Sequence, residues 1–207
     1  MIRLYRAEWS TNCERVGLAL AHKGLEAASV LISYEDRSEV ERVSGQGLVP
    51  VLADDDGQVI ADSTRILRHL EARLPDPPLF PAGQPRRAEV DLFIDAFNGA
   101  WKSAANALEE EVRKGSPDPV RVTTLGGSMQ ASLARFEELL AGRDFLMGER
   151  FGAADCIAFP FLKYAKRRDP ADTELFHVLL DEHQQLDGGH PRLSAWIDRV
   201  DGMPRAY

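Results

Sequence analysis

The stretch from Gly47 to Leu70, GLVPVLADDDGQVIADSTRILRHL, constrains the fold more than any other. Val49-Pro50-Val51-Leu52 is a short apolar run and Asp54-Asp55-Asp56-Gly57 is turn chemistry. Gln58-Val59-Ile60 is a second short run, so the two predict an antiparallel hairpin. Proline lacks the N–H that a ladder needs, which places Pro50 at a strand's first position or on an edge. Asp62-Ser63 then supplies capping oxygens, and Ile66, Leu67, Leu70 and Leu74 recur at helical spacing as far as Pro75.

Around this stretch the chain divides in two. Ile2 to Tyr5 alternates as a first strand. Trp9-Ser10-Thr11-Asn12 is a turn with helix-start chemistry, and Val16, Leu18, Ala19 and Leu20 form an apolar helix face. That helix is expected to stop at His22-Lys23-Gly24, and Ala28 to Ile32 follows as a second strand, giving a βαβ unit. Residues 35–46 are polar and predict a short irregular helix and loop. The first domain therefore reads βαβ-α-ββα over residues 1–76. The segment Leu74-Pro75-Asp76-Pro77-Pro78-Leu79-Phe80-Pro81 cannot continue a helix, and residues 77–85 are read as a linker. From residue 86 to 207 only helical patterns appear, over about 86–114, 119–141, 153–168, 173–185 and 191–201. The fold class expected is α+β in two domains, a thioredoxin-like domain followed by an all-α bundle.

Composition narrows the partners. With 207 residues and a net charge of −8, nucleic acid and anionic membrane are not expected. The basic cluster Lys163, Lys166, Arg167 and Arg168 is expected to decorate a helix C-terminus, where cations are favoured. Arg3, Arg6 and Glu8 interrupt any apolar leader, and Cys13 and Cys156 make neither a disulfide framework nor a metal site. Five scattered histidines lack ligand spacing, so no metal is expected. A cytoplasmic protein is the simplest expectation.

The hairpin stretch also carries chemistry. A cis bond before Pro50 would turn the Val49 main chain outward, where an extended peptide can pair with it. Asp62-Ser63 places a carboxylate and a hydroxyl beside free N–H groups that favour an anion. Such a site suits an α-amino group at one end and an α-carboxylate at the other. Taken singly, each feature more often marks a plain cap or strand start.

In combination these features resemble the glutathione S-transferase family, with its Val-Pro, two strands and acidic-Ser helix start. Ser10 to Leu20 is similar to the family's Ser/Cys-x-x-x-x-Arg-Val segment, ending at Lys23-Gly24-Leu25. Gly152-Ala153-Ala154-Asp155 is similar to its capping box, with Gly in place of Ser or Thr. His190-Pro191-Arg192-Leu193, Trp196 and Met203-Pro204 resemble its closing phrase. Ser44-Gly45-Gln46-Gly47 stands where the family has Asn-Pro-x-Gly.

The resemblance implies a serine-type cytosolic transferase, normally a homodimer, conjugating glutathione as co-substrate to a small apolar electrophile. Ser10 is the implied catalytic residue, in register with Arg15, and also reads as a plain N-cap. Thr11 is its neighbour, and Tyr5 is read as core. Glutathione would be held by Val49, Pro50, Asp62 and Ser63, with Arg37, Arg42 or Gln46 near the glycyl carboxylate. Trp9, Phe97, Asn98 and Trp101 are the candidates for a second-substrate pocket between the domains. Cys13 is read as a packed thiol, with thiol-disulfide exchange as the alternative, and Cys156 as core. Glutathione-dependent isomerisation and a non-catalytic interaction module remain as other uses of the scaffold.

Overall fold

The structure is a computed structural model describing residues 1–207, and it separates into two compact units. Unit 1 comprises Met1–Ala82 together with Met203–Tyr207, and unit 2 comprises Gly83–Gly202. Unit 1 carries a mixed four-stranded sheet with helices, and unit 2 is all-helical.

In unit 1 the strands β1 (Arg3–Arg6), β2 (Ala28–Leu31), β3 (Val51–Ala53) and β4 (Val59–Ala61) lie in the order β2-β1-β3-β4. β1 runs parallel to β2 and antiparallel to β3, and β3 pairs antiparallel with β4. The central strands β1 and β3 bury Leu4, Tyr5, Val51 and Leu52, whereas the edge strands β2 and β4 expose Ser29, Leu31 and Val59. Tyr5, registered against Val30 and Val51, packs on one face with Ile32 and Val40. Val40 belongs to the short helix α2 (Ser38–Ser44), which stops at Gly45 with φ 74°. Leu4, Leu52 and Ile60 alternate to the other face. On that side lie α1 (Thr11–His22) and α3 (Ser63–Arg73), which pack on each other.

The glycine stop of α1 is a Schellman turn. Gly24 at φ 65° lets its N–H reach Ala21 O at 3.0 Å, and the Leu25 N–H reaches Leu20 O at 2.9 Å. Lys23 is not the solvated cation its last-turn position suggests. Its Nζ is buried, 2.5 Å from Glu71 of α3 and 2.7 Å from the carbonyls of Leu74 and Pro77. Glu71 in turn accepts the N–H groups of Leu79 and Phe80. The proline-rich segment is thereby fastened to unit 1, which continues to Ala82.

Unit 2 begins with α4 (Gln84–Ala96), passes through one π-helical turn at Phe97–Trp101 and continues as α5 (Lys102–Val112). The single uninterrupted pattern expected over 86–114 thus contains one widened turn. There the burial spacing is four residues from Phe97 to Trp101 and four again to Ala105. α6 (Pro119–Leu139) starts from Asp118, whose carboxylate accepts from Val120 and Arg121. α7 (Ala153–Leu162) is buried along its whole length, and α8 (Leu175–His183) and α9 (Pro191–Asp201) complete the unit. Lys166 and Arg167 pair with Asp198 and Asp201 of α9, and Arg168 with Asp181 of α8. No helix is long and apolar enough to cross a membrane.

Met203–Tyr207, expected within the second domain, pack instead with unit 1. Arg205 pairs with Glu14 at 2.8 Å, the Ala206 N–H reaches Gly17 O at 3.1 Å, and Arg6 stacks on the Tyr207 ring at 4.3 Å. With the Tyr207 ring in place only glycine fits at position 17, because a Cβ there would lie 2.2 Å from Tyr207 Cε1. Although the C-terminal residue is 41% exposed as a whole, enclosure of its ring, with Glu14 adding to it, pushes the Tyr207 phenol up to about 12. Gly17→Ala is expected to expel the ring. One tyrosine in the alkaline absorbance titration should then fall from about 12 towards the ordinary 10.0.

Asp155 organises the core of unit 2. Its buried carboxylate accepts N–H groups from Leu146 and Gly152 at 2.9 Å and from the Trp196 indole at 2.8 Å. Gly152 has no side chain to complete the reciprocal box, so Asp155 caps this end alone. Asp155→Ala leaves three buried donors without a partner and should cost about 2–4 kcal/mol in urea denaturation. Asp155→Asn, keeping one acceptor, should cost less.

Candidate functional site

The chemistry-bearing residues of unit 1 gather at the N-terminal ends of α1 and α3. Ser10 is the N-cap of α1, with φ −67° and ψ 111°, and its hydroxyl oxygen accepts the Cys13 N–H at 3.3 Å. The residue is half-buried, so its own hydroxyl proton is within reach of a ligand. Thr11 beside it is buried, at 5% exposure. Cys13 is 1% exposed, and burial pushes its thiol up despite the Ser10 hydroxyl and the Arg6 and Arg37 charges. A raised, enclosed thiol is a poor nucleophile at neutral pH. Cys156 is fully buried in α7.

At the hairpin the Val49-Pro50 peptide bond is cis. The ladder begins at Val51, which leaves the Val49 amide and carbonyl outside it. Gln46 shapes this approach from its own loop. Its Oε1 accepts the Leu48 N–H at 2.6 Å, and its Nε2 donates to Leu48 O and Ser44 Oγ, each at 2.9 Å. Both ends of that amide are committed to holding residues 46–48, so Gln46 is placed to support the Val49 main chain.

Asp62 is the N-cap of α3 and the one non-glycine residue with positive φ, at 79°. Its carboxylate accepts the Arg65 N–H at 3.0 Å while the residue stays exposed. Backbone held in a sparsely populated region concentrates at binding sites. Ser63 is buried, and its hydroxyl accepts from Arg15 Nη1 at 3.3 Å. Arg15, 1% exposed, therefore ties the second turn of α1 to the first residue of α3. In the sequence Arg15 serves only as the register mark for Ser10; its signal is a charge that, with Glu14, stands at the head of the apolar run Val16 to Leu20.

Arg37 stacks its guanidinium on the Tyr34 ring at 4.8 Å, and its Nη1 is buried with no hydrogen-bond partner. Arg42 is exposed on α2. Among the three expected carboxylate ligands, Arg37 alone presents a buried unpaired donor. Tyr5 lies in the sheet core.

In unit 2, Phe97 and Trp101 line one cavity of about 490 Å³, and Asn98, half-buried, is not part of its wall. Trp9 belongs to unit 1, on the turn before Ser10. No group of three or more His, Cys, Asp or Glu side chains converges as a metal site.

A serine-capped helix, a strand opened by cis-proline and an acidic-Ser helix start, followed by an all-helical unit, define a two-unit protein whose first unit is thioredoxin-like. Residues 4–78 match the family described as Glutathione S-transferase, N-terminal domain. Residues 93–199 match Glutathione S-transferase, C-terminal domain. The chain belongs to the glutathione S-transferase family. It is 31% identical to maleylacetoacetate isomerase of Pseudomonas aeruginosa, over 80% of this chain and 82% of that protein. It is 30% identical to FtsZ-localized protein A of Caulobacter vibrioides, over 70% of this chain and 68% of that one. A solved glutathione S-transferase of Methylobacterium radiotolerans, in complex with glutathione sulfonate, superposes with TM-score 0.76 at 26% identity. That superposition covers 98% of this chain and 91% of the other.

Proposed function

We propose that this protein conjugates the glutathione thiolate to an electrophilic, apolar substrate, with Ser10 as the activating residue. The observation that carries this reading is the bridge from Arg15 to Ser63, which sets two helix N-termini at one end of unit 1. Their free N–H groups favour anions there although the chain as a whole carries −8.

In this reading Ser63 and the α3 N–H groups receive the γ-glutamyl carboxylate, and Asp62 receives the α-amino group. Val49 pairs through its main chain with the cysteinyl unit, Pro50 orients it, and Arg37 takes the glycyl carboxylate, with Arg42 left exposed on α2. The sulfur then rests at the start of α1, where the Ser10 hydroxyl donates to it. Lowering a thiol pKa by about two units corresponds to roughly 2.7 kcal/mol. One charge-assisted hydrogen bond together with a helix terminus supplies an amount of that order. The thiolate attacks the electrophilic carbon and the leaving group departs with its electron pair. A homodimer, as is normal for the family, is part of the same proposal, and sedimentation velocity tests it.

A second reading is supported by the isomerase from P. aeruginosa. The same thiolate, adding reversibly to a conjugated double bond and leaving after rotation, would isomerise it and return glutathione unchanged. The burial of Cys13 weighs against thiol-disulfide exchange.

Two measurements test the proposal. Ser10→Ala should lower kcat/KM for glutathione with an aryl halide at least tenfold, about 1.4 kcal/mol of transition-state stabilisation. Cys13→Ala should leave it within about twofold. Retention on immobilised glutathione should survive Ser10→Ala and be lost in Asp62→Ala. A folded wild-type protein that neither binds glutathione nor turns over would favour the interaction-module reading.

A further inference from the structure

Within unit 1, the segment Met203–Tyr207 lies along one face of the N-terminal half of α1. Three contacts seat it. The Tyr207 ring occupies the space left by Gly17, and the Arg6 guanidinium stands 4.3 Å from the ring centre. The Ala206 N–H donates to Gly17 O at 3.1 Å. One turn nearer the start of α1, Arg205 grips Glu14, its Nε and Nη2 donating to the same carboxylate oxygen at 3.2 and 2.8 Å. The third nitrogen, Nη1, donates to Met203 O at 2.5 Å, so the guanidinium is held on both sides. Glycine is an unfavourable residue in mid-helix, and at position 17 it is what admits this segment.

Glu14 is the acidic residue in the first turn of α1, and it is only 8% exposed. Its N–H donates to Ser10 O at 3.0 Å. Residues four apart on a helix share a face, and their side chains lean toward the helix N-terminus. The carboxylate is therefore directed at the turn that Ser10 caps. A negative charge there draws on the same helix-end potential that favours a bound thiolate, and two anions at one helix end disfavour each other. A neighbouring group already feels this charge: after burial, Glu14 is the largest influence raising the Tyr207 phenol. Arg6 of β1 and Arg37 at the start of α2 also act on this turn, opposing the effect of burial on the Cys13 thiol. Arg15 is engaged with Ser63. Arg205 is the cation that meets Glu14 directly.

We propose that Arg205 is a positioning residue for the anion end of unit 1: by pairing with Glu14 it cancels the carboxylate in the first turn of α1 and leaves the helix N-terminus at Ser10 able to hold a thiolate. That the thiolate belongs to glutathione rests on the reading above. The charge balance does not, and it is tested here without glutathione, so the two fail separately.

The probe is the thiol introduced by Ser10→Cys, its ionisation read from the pH dependence of alkylation by iodoacetamide, with the adduct located by mass spectrometry. Cys13 and Cys156, at 1% and 0% exposure, are shielded from the reagent. Adding Arg205→Gln should raise the midpoint of the new thiol by about one pH unit, a thiolate fraction about tenfold smaller at neutral pH. Adding Arg205→Lys, which keeps the charge, should leave it near the Ser10→Cys value. Adding Glu14→Gln should lower it, because Arg205 then acts unopposed. Adding Glu14→Gln and Arg205→Gln together should return it close to the Ser10→Cys value although the ion pair is gone. A segment with a purely structural role would leave that double change as displaced as Arg205→Gln alone, and this result would overturn the proposal. So would a thiol that Arg205→Gln does not move.

Discussion

The buried ammonium of Lys23 holds together the half of the molecule that carries the site. An ion pair without solvent contact costs desolvation energy that its Coulomb attraction recovers only when every remaining proton and lone pair is used. That condition is met here. Lys23 meets one carboxylate oxygen and two carbonyls, and Glu71 spends both its oxygens on Lys23 and the amides of Leu79 and Phe80. Each partner comes from a different part of unit 1, namely the end of α1, the last turns of α3 and the proline-rich segment. At the other ends of the same helices, Arg15 reaches Ser63. Two buried cations thus fix both ends of the α1–α3 pair, and the placement of Ser10 relative to Asp62 follows from that.

This arrangement reconciles an acidic chain with the anion binding proposed for it. The helix termini and Arg37 act over a few ångströms, whereas the surplus carboxylates are spread over the surface and screened by salt. It also separates the roles of Ser10 and Cys13, which are three residues apart on one turn. The cap position leaves Ser10 half-buried with a proton to donate, while the third helical position carries the Cys13 sulfur into the packing, where its ionised form is disfavoured.

Local chemistry made much of the fold legible in the sequence. The Gly24 stop, the Asp54–Gly57 turn and the Asp62-Ser63 cap are each set by one or two residues, and each appears where its chemistry placed it. What sequence could not reveal lies in pairings between distant residues. Lys23 and Glu71 are 48 positions apart and Arg205 and Glu14 are 191 apart. Each of these side chains, read alone, is an ordinary surface charge. Asp54 is a further case. It reads as the first residue of a hydrophilic turn, yet it is buried beneath His69 and Arg73 of α3. The hairpin tip is therefore clamped to a helix, which turn chemistry alone does not demand. Gln46 differs in kind, because a polar residue near a binding loop reads equally well as ligand or as support. Only the geometry of its amide assigns it to support.

Periodicity has a related blind spot in unit 2. The spacing of Val90, Phe97, Trp101 and Leu108 shows which residues turn inward, but not whether the facing helix fills the room they leave. Four-residue steps of alanine at 96, 100 and 104 read as ordinary helix formers with high propensity. Set opposite the small residues of α6, they become the reason that a space persists beside rings large enough to close it. A core free to repack would bring Phe97 and Trp101 into that space, since voids forfeit dispersion contacts on their lining atoms. The Trp101–Ser132–Met129 hydrogen-bond chain opposes this, because the indole cannot tilt inward without leaving its N–H unpaired. The opening and the polar chain that keeps it open are two consequences of one pattern, small residues alternating with aromatic ones along neighbouring helices.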